Sequence, residues 1–222
     1  MLFNGLTLQE LGIKHHTDKA VHHHFTVLYD YWLSSMRDKP IRMLEIGILL
    51  GGSLRMWHEY FQQAEKIYAA DLVMPEEREV PPIVLGPNVE LLRLDQTNRK
   101  QLRSMPKDLD LIIDDGGHTM RQQQVSFAEL FFHLKPGGTY IIEDLHTSHV
   151  DYAETHGCTA DNNTLQLLLD LQQSKFNDNS DYFISRVEWH WLHQEIQAVE
   201  IVPVTYDSIT CRIRKRAPVS FD

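Results

Sequence analysis

Short apolar runs alternate along the chain with stretches in which apolar residues recur at helical spacing. The runs are nearly continuous in apolar residues and are bounded by glycine or acidic residues, a pattern typical of buried strands. The predicted strands lie at residues 42–47, 66–71, 89–95, 110–115 and 139–144. Segments with helical periodicity are predicted between them, at residues 54–63, 98–105 and 120–134, and Lys135–Gly138 is predicted to close the last of these helices. Residues 74–87 are rich in proline and charge and are predicted to form a loop.

The order of these elements predicts the architecture. Strands that are apolar on both faces and alternate with helices pair in parallel, in a sheet that helices cover on both sides. Two later runs, at residues 197–204 and 208–214, are expected to pair as an antiparallel C-terminal hairpin at the sheet edge. We therefore predict an α/β, Rossmann-like fold, in which ligands bind beyond the carboxyl ends of the strands.

The chain of 222 residues is predicted to form one domain over residues 1–222, since 42% of its residues are hydrophobic. Residues 1–40 are expected to be a helical cap, in which the spacing of Phe25 and Trp32 places His22–His24 within a helix. These histidines could bind a metal ion, but an exposed helix face near a substrate cleft is the expected place for them. The long segment 147–190 follows the last acidic strand end. We expect it to shape an acceptor pocket or to form a lid.

Charge, hydropathy and cysteine content limit the possible partners and the cellular compartment. A net charge of −10 argues against nucleic acid or an anionic membrane, because both attract cationic surfaces. No apolar stretch approaches the roughly 20 residues that span a bilayer, and residues 1–11 lack the pattern of a secretory signal. Cys158 and Cys211 lie outside any CxxC pattern and are expected to be reduced thiols. We expect a cytoplasmic protein that acts on a small molecule, with homo-oligomer formation left open.

Glycines follow the first predicted strand, where the chain turns sharply into a helix. Gly47–Gly52 has a G-x-x-x-G-G pattern, which differs from the G-x-G-x-x-G spacing of dinucleotide-binding turns. Asp71 ends the next strand about 20 residues after Gly51, where a carboxylate can bind ribose hydroxyls. Asp95 and Gln96, at the following strand end, are expected to bracket an adenine ring. S-adenosylmethionine contains ribose and adenine but no phosphate, so this turn favours it over NAD.

A second group of acids ends the fourth and fifth predicted strands. Asp114-Asp115 precedes Gly116-Gly117-His118, and Glu143-Asp144 ends the fifth strand. Consecutive parallel strands are often neighbours, so these carboxylates are expected to converge on one point. Such a cluster needs a cation, and its oxygen ligands suit Mg²⁺. The ion would activate an acceptor hydroxyl, and His118 would remove the proton.

The motifs with the highest specificity are Asp-Asp-Gly-x-His at 114–118 and Ile-Glu-Asp-Leu-His-Thr-Ser at 142–148. With them, the chain resembles the macrocin and mycinamicin sugar O-methyltransferases, a metal-dependent family that acts on antibiotic glycosides. The resemblance extends from Thr17 to Ser148. The other matching segments are Thr17-Asp18-Lys19, Leu44–Gly47, Ser53–Trp57, Tyr60-Phe61, Asp95-Gln96 and residues 134–138.

The resemblance implies that Asp115, Glu143 and Asp144 hold a divalent ion, Mg²⁺ or Mn²⁺, and that His118 is the catalytic base. It also implies that Thr17-Asp18-Lys19 closes over the cofactor. The expected cofactor-binding residues are Thr17, Lys19, Glu45, Gly47, Ser53, Asp71, Asp95, Gln96 and Asp114. The predicted fold class is that of a class I methyltransferase with a mostly parallel seven-stranded sheet. The expected reaction transfers the methyl group of S-adenosylmethionine to a hydroxyl of a small molecule, in particular a sugar of a glycosylated secondary metabolite.

Two positions depart from the family's usual residues, and three other functions stay open. Gly117 stands where serine is usual and is expected to loosen the loop that carries His118. His149 stands where an aromatic residue is usual, at a position where acceptor contacts are expected. One alternative is a metal-dependent O-methyltransferase of a catechol or polyketide hydroxyl, although such enzymes typically have an asparagine ligand. His118, His146 and a carboxylate also leave open a cephalosporin-hydroxylase-like oxygenase with iron. The third alternative is a protein that binds S-adenosylmethionine without catalysis.

Overall fold

The computed structural model describes residues 5–78 and 86–218, and residues 79–85 of the predicted loop lie outside the described residues. The described chain contains a seven-stranded sheet. Its strands are β1 (Arg42–Ile46), β2 (Lys66–Asp71), β3 (Val89–Arg93), β4 (Leu109–Asp114), β5 (Leu134–Ile142), β6 (Ile196–Thr205) and β7 (Ser208–Lys215). Their order across the sheet is β3-β2-β1-β4-β5-β7-β6.

The predicted α/β fold with a mostly parallel sheet is confirmed. Strands β1 to β5 pair in parallel, whereas β7 pairs antiparallel with both β5 and β6. Strand β5 begins at Leu134, so the segment Lys135–Gly138 that was predicted to close a helix belongs to the strand. The chain leaves β1 toward β2 and returns in β4 on the other side of β1. This reversal opens a crevice at the carboxyl ends of the strands.

Helices pack on both faces of the sheet. The described helices are α1 (Leu8–Lys14), α2 (Asp18–Val21), α3 (Phe25–Leu33), α4 (Gly52–Tyr60), α5 (Arg99–Ser104), α6 (Met120–Leu130), α7 (Ala153–His156), α8 (Thr164–Gln172) and α9 (Arg186–Glu195). None of these helices has the length and apolar character that crossing a membrane requires.

Alternate residues of each strand enter different hydrophobic cores. Met43 joins the core formed with α1, α3 and α4, whereas Leu44 joins the core formed with α5, α6, α8 and α9. The same alternation places Ile113 in the first core and Ile112 in the second. Because successive strand side chains point to opposite faces, a strand apolar at every position requires a cover on both sides.

The prediction that His22–His24 lie within a helix is wrong. Helix α2 ends at Val21, and α3 begins only at Phe25. His24 has a φ of 58°, in the left-handed region that a right-handed helix excludes. The turn leads the chain from α2 into α3, and it brings His23 close to Asp144 at the carboxyl end of β5.

Candidate active site

An open cleft of about 610 Å³ lies at the carboxyl ends of the parallel strands. The predicted site residues that line it are Thr17, Gly47, Ser53, Asp71, Asp95, Gln96, Asp115, His118 and Asp144. The other predicted residues, Lys19, Glu45, Asp114 and Glu143, are at most 1% exposed and lie behind that lining. The strand-end acids therefore lie around one cleft, and four of the predicted residues are buried behind its surface.

Gly47 gives the turn after β1 its shape. Its φ of +96° is strained for residues with a side chain, and an added Cβ would lie 1.9 Å from the carbonyl oxygen of Asp115. Asp71 at the end of β2 holds the same turn, because its Oδ2 accepts hydrogen bonds from the backbone N–H groups of Ile48 (2.9 Å) and Leu49 (3.3 Å). The carboxylate predicted to bind a ribose therefore also positions the backbone of the turn.

Arg78 is a cleft residue that sequence analysis missed. Its Nη2 lies 2.9 Å from Asp71 Oδ2, and its side chain lines the cleft. The residue lies in the proline- and charge-rich segment that was predicted only as a loop. A basic residue seven positions after a ribose-binding candidate was the available signal, but the sequence alone does not show that the loop folds back.

Asp114 and Gln96 form an internal network behind the cleft. Asp114 accepts hydrogen bonds from Gln96 Nε2 (2.7 Å), Tyr140 Oη (2.9 Å) and Ser126 Oγ. Burial raises the pKa of Asp114 to about 6, although the hydrogen bonds from Ser126 and Tyr140 lower it. Gln96 Oε1 accepts a 2.6 Å hydrogen bond from the N–H of Gly117. Gln96 therefore fixes the loop that leads to His118, and Gly117 is held rather than loose.

Lys19 lies at the centre of the acidic cluster. Its side chain is completely buried, and its Nζ donates hydrogen bonds to Asp115 Oδ2 and, at 2.9 Å, to Glu143 Oε2. Glu45 Oε1 lies 3.9 Å from the same nitrogen. Glu143 Oε1 and Asp144 Oδ1 are buried without a hydrogen-bond partner in the described part of the chain. The cluster thus contains one ammonium group and still has carboxylate oxygens that could bind a cation.

The cluster shifts the pKa values of its members. Burial raises the pKa of Glu143 well above its ordinary value, and the neighbouring Asp115 raises it further. Burial also raises the pKa of Glu45 to about 7, although Lys19 and Trp57 lower it. Burial alone would lower the pKa of Lys19, but the carboxylates of Asp115, Glu143 and Glu45 raise it well above its usual range. A positive charge at this place is therefore strongly favoured.

The side chains of His118, His23 and His146 lie close to the carboxylate of Asp144. His118 Nε2 lies 3.3 Å from Asp144 Oδ2, while His23 Nδ1 and His146 Nδ1 lie 3.6 and 3.8 Å from Asp144 Oδ1. Asp144 itself has a φ of 55°, a strained conformation that turns the chain directly after β5. Ligand atoms of Asp115, His118 and Asp144 lie within 4.8 Å of one another, close enough to hold a metal ion. Glu143 is outside that group and contacts Lys19 instead.

His23 is a second residue that sequence analysis missed, because His22–His24 were assigned to an exposed helix face. Its ring stacks on Phe25, and its Nδ1 is also 2.9 Å from Ser208 Oγ on β7. The side chain is only 12% exposed. Only the tertiary structure joins the N-terminal segment to the end of β5, so no local pattern indicated this placement.

A second cavity, of about 320 Å³, lies beside Asp144 and is separate from the lining of the cleft. His146 belongs to its wall and links it to Asp144. The remaining lining residues are aromatic, apolar or neutral: Leu145, Ser148, His149, Tyr152, Leu165, Pro203, Thr205, Tyr206 and Ile209. Part of this lining comes from segment 147–190, and part from the hairpin of β6 and β7.

The sheet order, the reversal beside β1 and the cleft at the strand ends define the fold of a class I methyltransferase. The chain is 33% identical over 152 residues to an 8-demethyl-8-α-L-rhamnosyl tetracenomycin-C 2′-O-methyltransferase of Streptomyces olivaceus. It is 35% identical over 153 residues to a demethylmacrocin O-methyltransferase of Streptomyces fradiae. Each match covers 64% of this chain. No protein-family model matches the chain.

The comparison with solved structures also identifies methyltransferases as similar proteins. The chain superposes with a TM-score of 0.73 and 25% identity on MycE, a methyltransferase of the mycinamycin biosynthetic pathway, in complex with Mg and SAH. That comparison covers 99% of this chain and 58% of MycE. A second MycE structure, with a TM-score of 0.72, also contains Mycinamycin VI. The resemblance to the macrocin and mycinamicin sugar O-methyltransferases and the methyltransferase fold are both confirmed.

The chain is much shorter than these relatives. It spans 38% of the tetracenomycin enzyme and 37% of the demethylmacrocin enzyme. The comparisons do not favour the catechol, oxygenase or non-catalytic alternatives, because both named relatives are O-methyltransferases and one of them acts on a rhamnosyl tetracenomycin C. The roles of the individual site residues stay predictions.

Proposed function

We propose that this chain is a divalent-metal-assisted O-methyltransferase that uses S-adenosylmethionine and acts on a hydroxyl of a small molecule. The acceptor we propose is a sugar of a glycosylated secondary metabolite. The observation that carries the proposal is the cluster of Asp115, Glu143 and Asp144 beside His118 at the cleft. The names of the relatives support the same chemistry. We also propose that it acts in the cytoplasm, without nucleic acid or membrane, and that copies can associate.

The cofactor is proposed to bind in the 610 Å³ cleft. Thr17, Gly47 and Ser53 would contact it from the N-terminal segment and the first turn, whereas Asp71, Asp95 and Gln96 would contact it from the next strand ends. The Asp71 carboxylate is only 14% exposed and is already held by backbone N–H groups, so it is preorganised to accept ribose hydroxyls. Glu45 and Asp114 would support this wall from behind.

The residues present fit a divalent metal ion. Glu143 Oε1 and Asp144 Oδ1 are buried carboxylate oxygens without hydrogen-bond partners in the described residues, and such atoms are costly unless a cation or donor satisfies them. Oxygen ligands are those that Mg²⁺ and Mn²⁺ accept. Asp115, Glu143 and Asp144 would hold the ion. When bound, it would lower the pKa of an acceptor hydroxyl, and S-adenosylmethionine would supply the methyl group.

His118 is proposed to receive the proton of the acceptor hydroxyl at Nε2. This nitrogen lies 3.3 Å from Asp144 Oδ2 and 3.9 Å from Asp115 Oδ1, so the imidazole lies directly against the carboxylates of the proposed metal site. The backbone of the loop is fixed as well. Thr147 Oγ1 donates a 3.0 Å hydrogen bond to the carbonyl of His118, and Gln96 binds the N–H of Gly117.

The acceptor body is proposed to occupy the 320 Å³ cavity, with segment 147–190 as part of its wall. Within the described residues, the cavity is lined by no lysine, arginine, aspartate or glutamate. Tyr152 and Tyr206 offer ring faces for a sugar or an aromatic ring, and Leu165 and Ile209 offer apolar contacts. This composition suits an uncharged acceptor and disfavours a phosphorylated one.

The function is tested by methyl transfer and cofactor binding in the same preparation. We expect S-adenosylhomocysteine to bind in calorimetry with or without Mg²⁺. A methyl gain by mass spectrometry should appear only with Mg²⁺ or Mn²⁺, and should disappear after chelation with EDTA. The first acceptor to test is the L-rhamnosyl tetracenomycin C in the name of the first relative. Failure to bind S-adenosylhomocysteine would reject the proposal.

The acceptor cavity is tested by filling it. We expect Ile209→Trp to raise the KM of the acceptor glycoside at least about tenfold, because the indole would displace the acceptor body. The affinity for S-adenosylhomocysteine should not change, since Ile209 does not line the cofactor cleft. Val187→Trp is the control, because Val187 is 78% exposed on α9. An unchanged KM in Ile209→Trp would place the acceptor elsewhere.

A further inference from the structure

Lys19 brings together parts of the chain that are distant in sequence. It comes from the short helix α2, and its Nζ reaches Asp115, 96 residues away, and Glu143, 124 residues away. These two carboxylates follow β4 and β5 respectively. Glu45 on β1 lies 3.9 Å from the same nitrogen. One side chain thus connects the N-terminal segment to the ends of three parallel strands.

The charges in this cluster are unequal. Three carboxylates, those of Glu45, Asp115 and Glu143, lie within 3.9 Å of the ammonium group of Lys19. A fourth, that of Asp144, has a ligand atom within 4.8 Å of one of Asp115. Lys19 occupies one oxygen each of Asp115 and Glu143, which leaves the other oxygens to a metal ion. Removal of one partner from a buried charge cluster leaves uncompensated charge and is strongly destabilising.

Lys19 also fixes the segment that carries it. Thr17 and Val21, on either side of Lys19, line the cofactor cleft. His23 lies 3.6 Å from Asp144, and Thr17 is only 3% exposed. A loss of the contacts of Lys19 would therefore release one wall of the cleft together with a histidine of the acid cluster.

We propose that Lys19 is a positioning residue: its ammonium group is a built-in counter-charge that shares Asp115 and Glu143 with the metal ion and holds residues 17–23 over the cleft. The inference rests on the proposed function only in taking Asp115, Glu143 and Asp144 as metal ligands. In the absence of a divalent ion, Lys19 keeps these carboxylates together. When the ion is bound, it would also hold these carboxylates together, so less of their stability would depend on Lys19.

The test compares thermal unfolding of Lys19→Met and the wild type with and without Mg²⁺. Without Mg²⁺, we expect Lys19→Met to melt about 10 °C below the wild type, because carboxylates repel one another around an uncharged side chain. Mg²⁺ should raise the melting temperature of Lys19→Met by about 5 °C more than that of the wild type. S-adenosylhomocysteine should bind Lys19→Met at least about tenfold more weakly without Mg²⁺, and Mg²⁺ should restore part of the affinity.

Lys135→Met is the matched control, because Lys135 Nζ lies 2.8 Å from Asp110 Oδ2 outside the cluster. Its melting temperature should respond to Mg²⁺ as that of the wild type does. The double variant Lys19→Met/Glu143→Gln removes one charge of each sign. It should melt above Lys19→Met without Mg²⁺, whereas a purely steric role for Lys19 predicts that the two losses add.

The inference is overturned if the loss in Lys19→Met is the same with and without Mg²⁺, or if Glu143→Gln makes it worse. If Lys19→Met does not fold in either condition, recovery of folding in the double variant decides the matter, and no recovery overturns the inference. None of these readouts requires methyl transfer. If the wild type transfers methyl groups but the variants show no coupling between the charges of Lys19 and Glu143, the role of Lys19 is rejected and the proposed function stands.

Discussion

Replacement of His118 by alanine is expected to lower methyl transfer at least about a hundredfold, the usual contribution of a positioned general base. His118 is the imidazole that lies against both Asp115 and Asp144 at the cleft. Calorimetry with S-adenosylhomocysteine should give nearly unchanged affinity. The reason is that the change removes a proton acceptor and leaves the turn after β1 and the acid of β2 intact.

His190→Ala is the control for this variant. His190 is exposed on α9 and does not line the cleft, so its loss should leave the methyl-transfer rate unchanged. Wild-type turnover by His118→Ala would show that another group accepts the proton. The candidates would then be His23 and His146, which face the other oxygen of Asp144. A parallel loss of melting temperature and of cofactor affinity would instead indicate a structural role for His118.

Replacement of Gly47 by alanine is expected to have the largest effect on stability. The new Cβ would lie 1.9 Å from the carbonyl oxygen of Asp115, and no side-chain rotation can relieve a clash with backbone. The φ of +96° adds strain of its own. We expect a loss of more than about 4 kcal/mol in the free energy of unfolding, measured in urea, or a protein that does not fold.

Gly157→Ala separates the effect of the backbone clash from that of the positive φ. Gly157 also has a positive φ, +70°, but nothing lies within 4 Å of its added Cβ. Its substitution should therefore cost only the backbone strain, about 1–2 kcal/mol. If Gly47→Ala loses no more stability than Gly157→Ala, the close approach between the turn after β1 and the loop after β4 does not constrain the fold.

The candidate site was predictable in part because chemistry and position coincide along the sequence. Each parallel strand ends near an acid, and the carboxyl ends of parallel strands lie at one edge of the sheet, so Asp71, Asp115 and Asp144 were expected at the same edge. The pattern did not show how each side chain is used. Gln96 and Asp114 were expected at the cofactor, and the structure pairs them with each other, with Tyr140 and with Gly117.

The sequence by itself determined the sheet, its parallel strands, the antiparallel hairpin and the chain order of the acids. It could do so because burial on one or two faces produces a local period that neighbouring residues reveal. The tertiary structure alone decided that Lys19 lies among Asp115, Glu143 and Glu45, and that His23 faces Asp144. Apart from the pair of Lys19 and Glu45, those contacts join residues about a hundred positions apart or more, and no local period encodes them. They depend on how the N-terminal helices pack across the finished sheet.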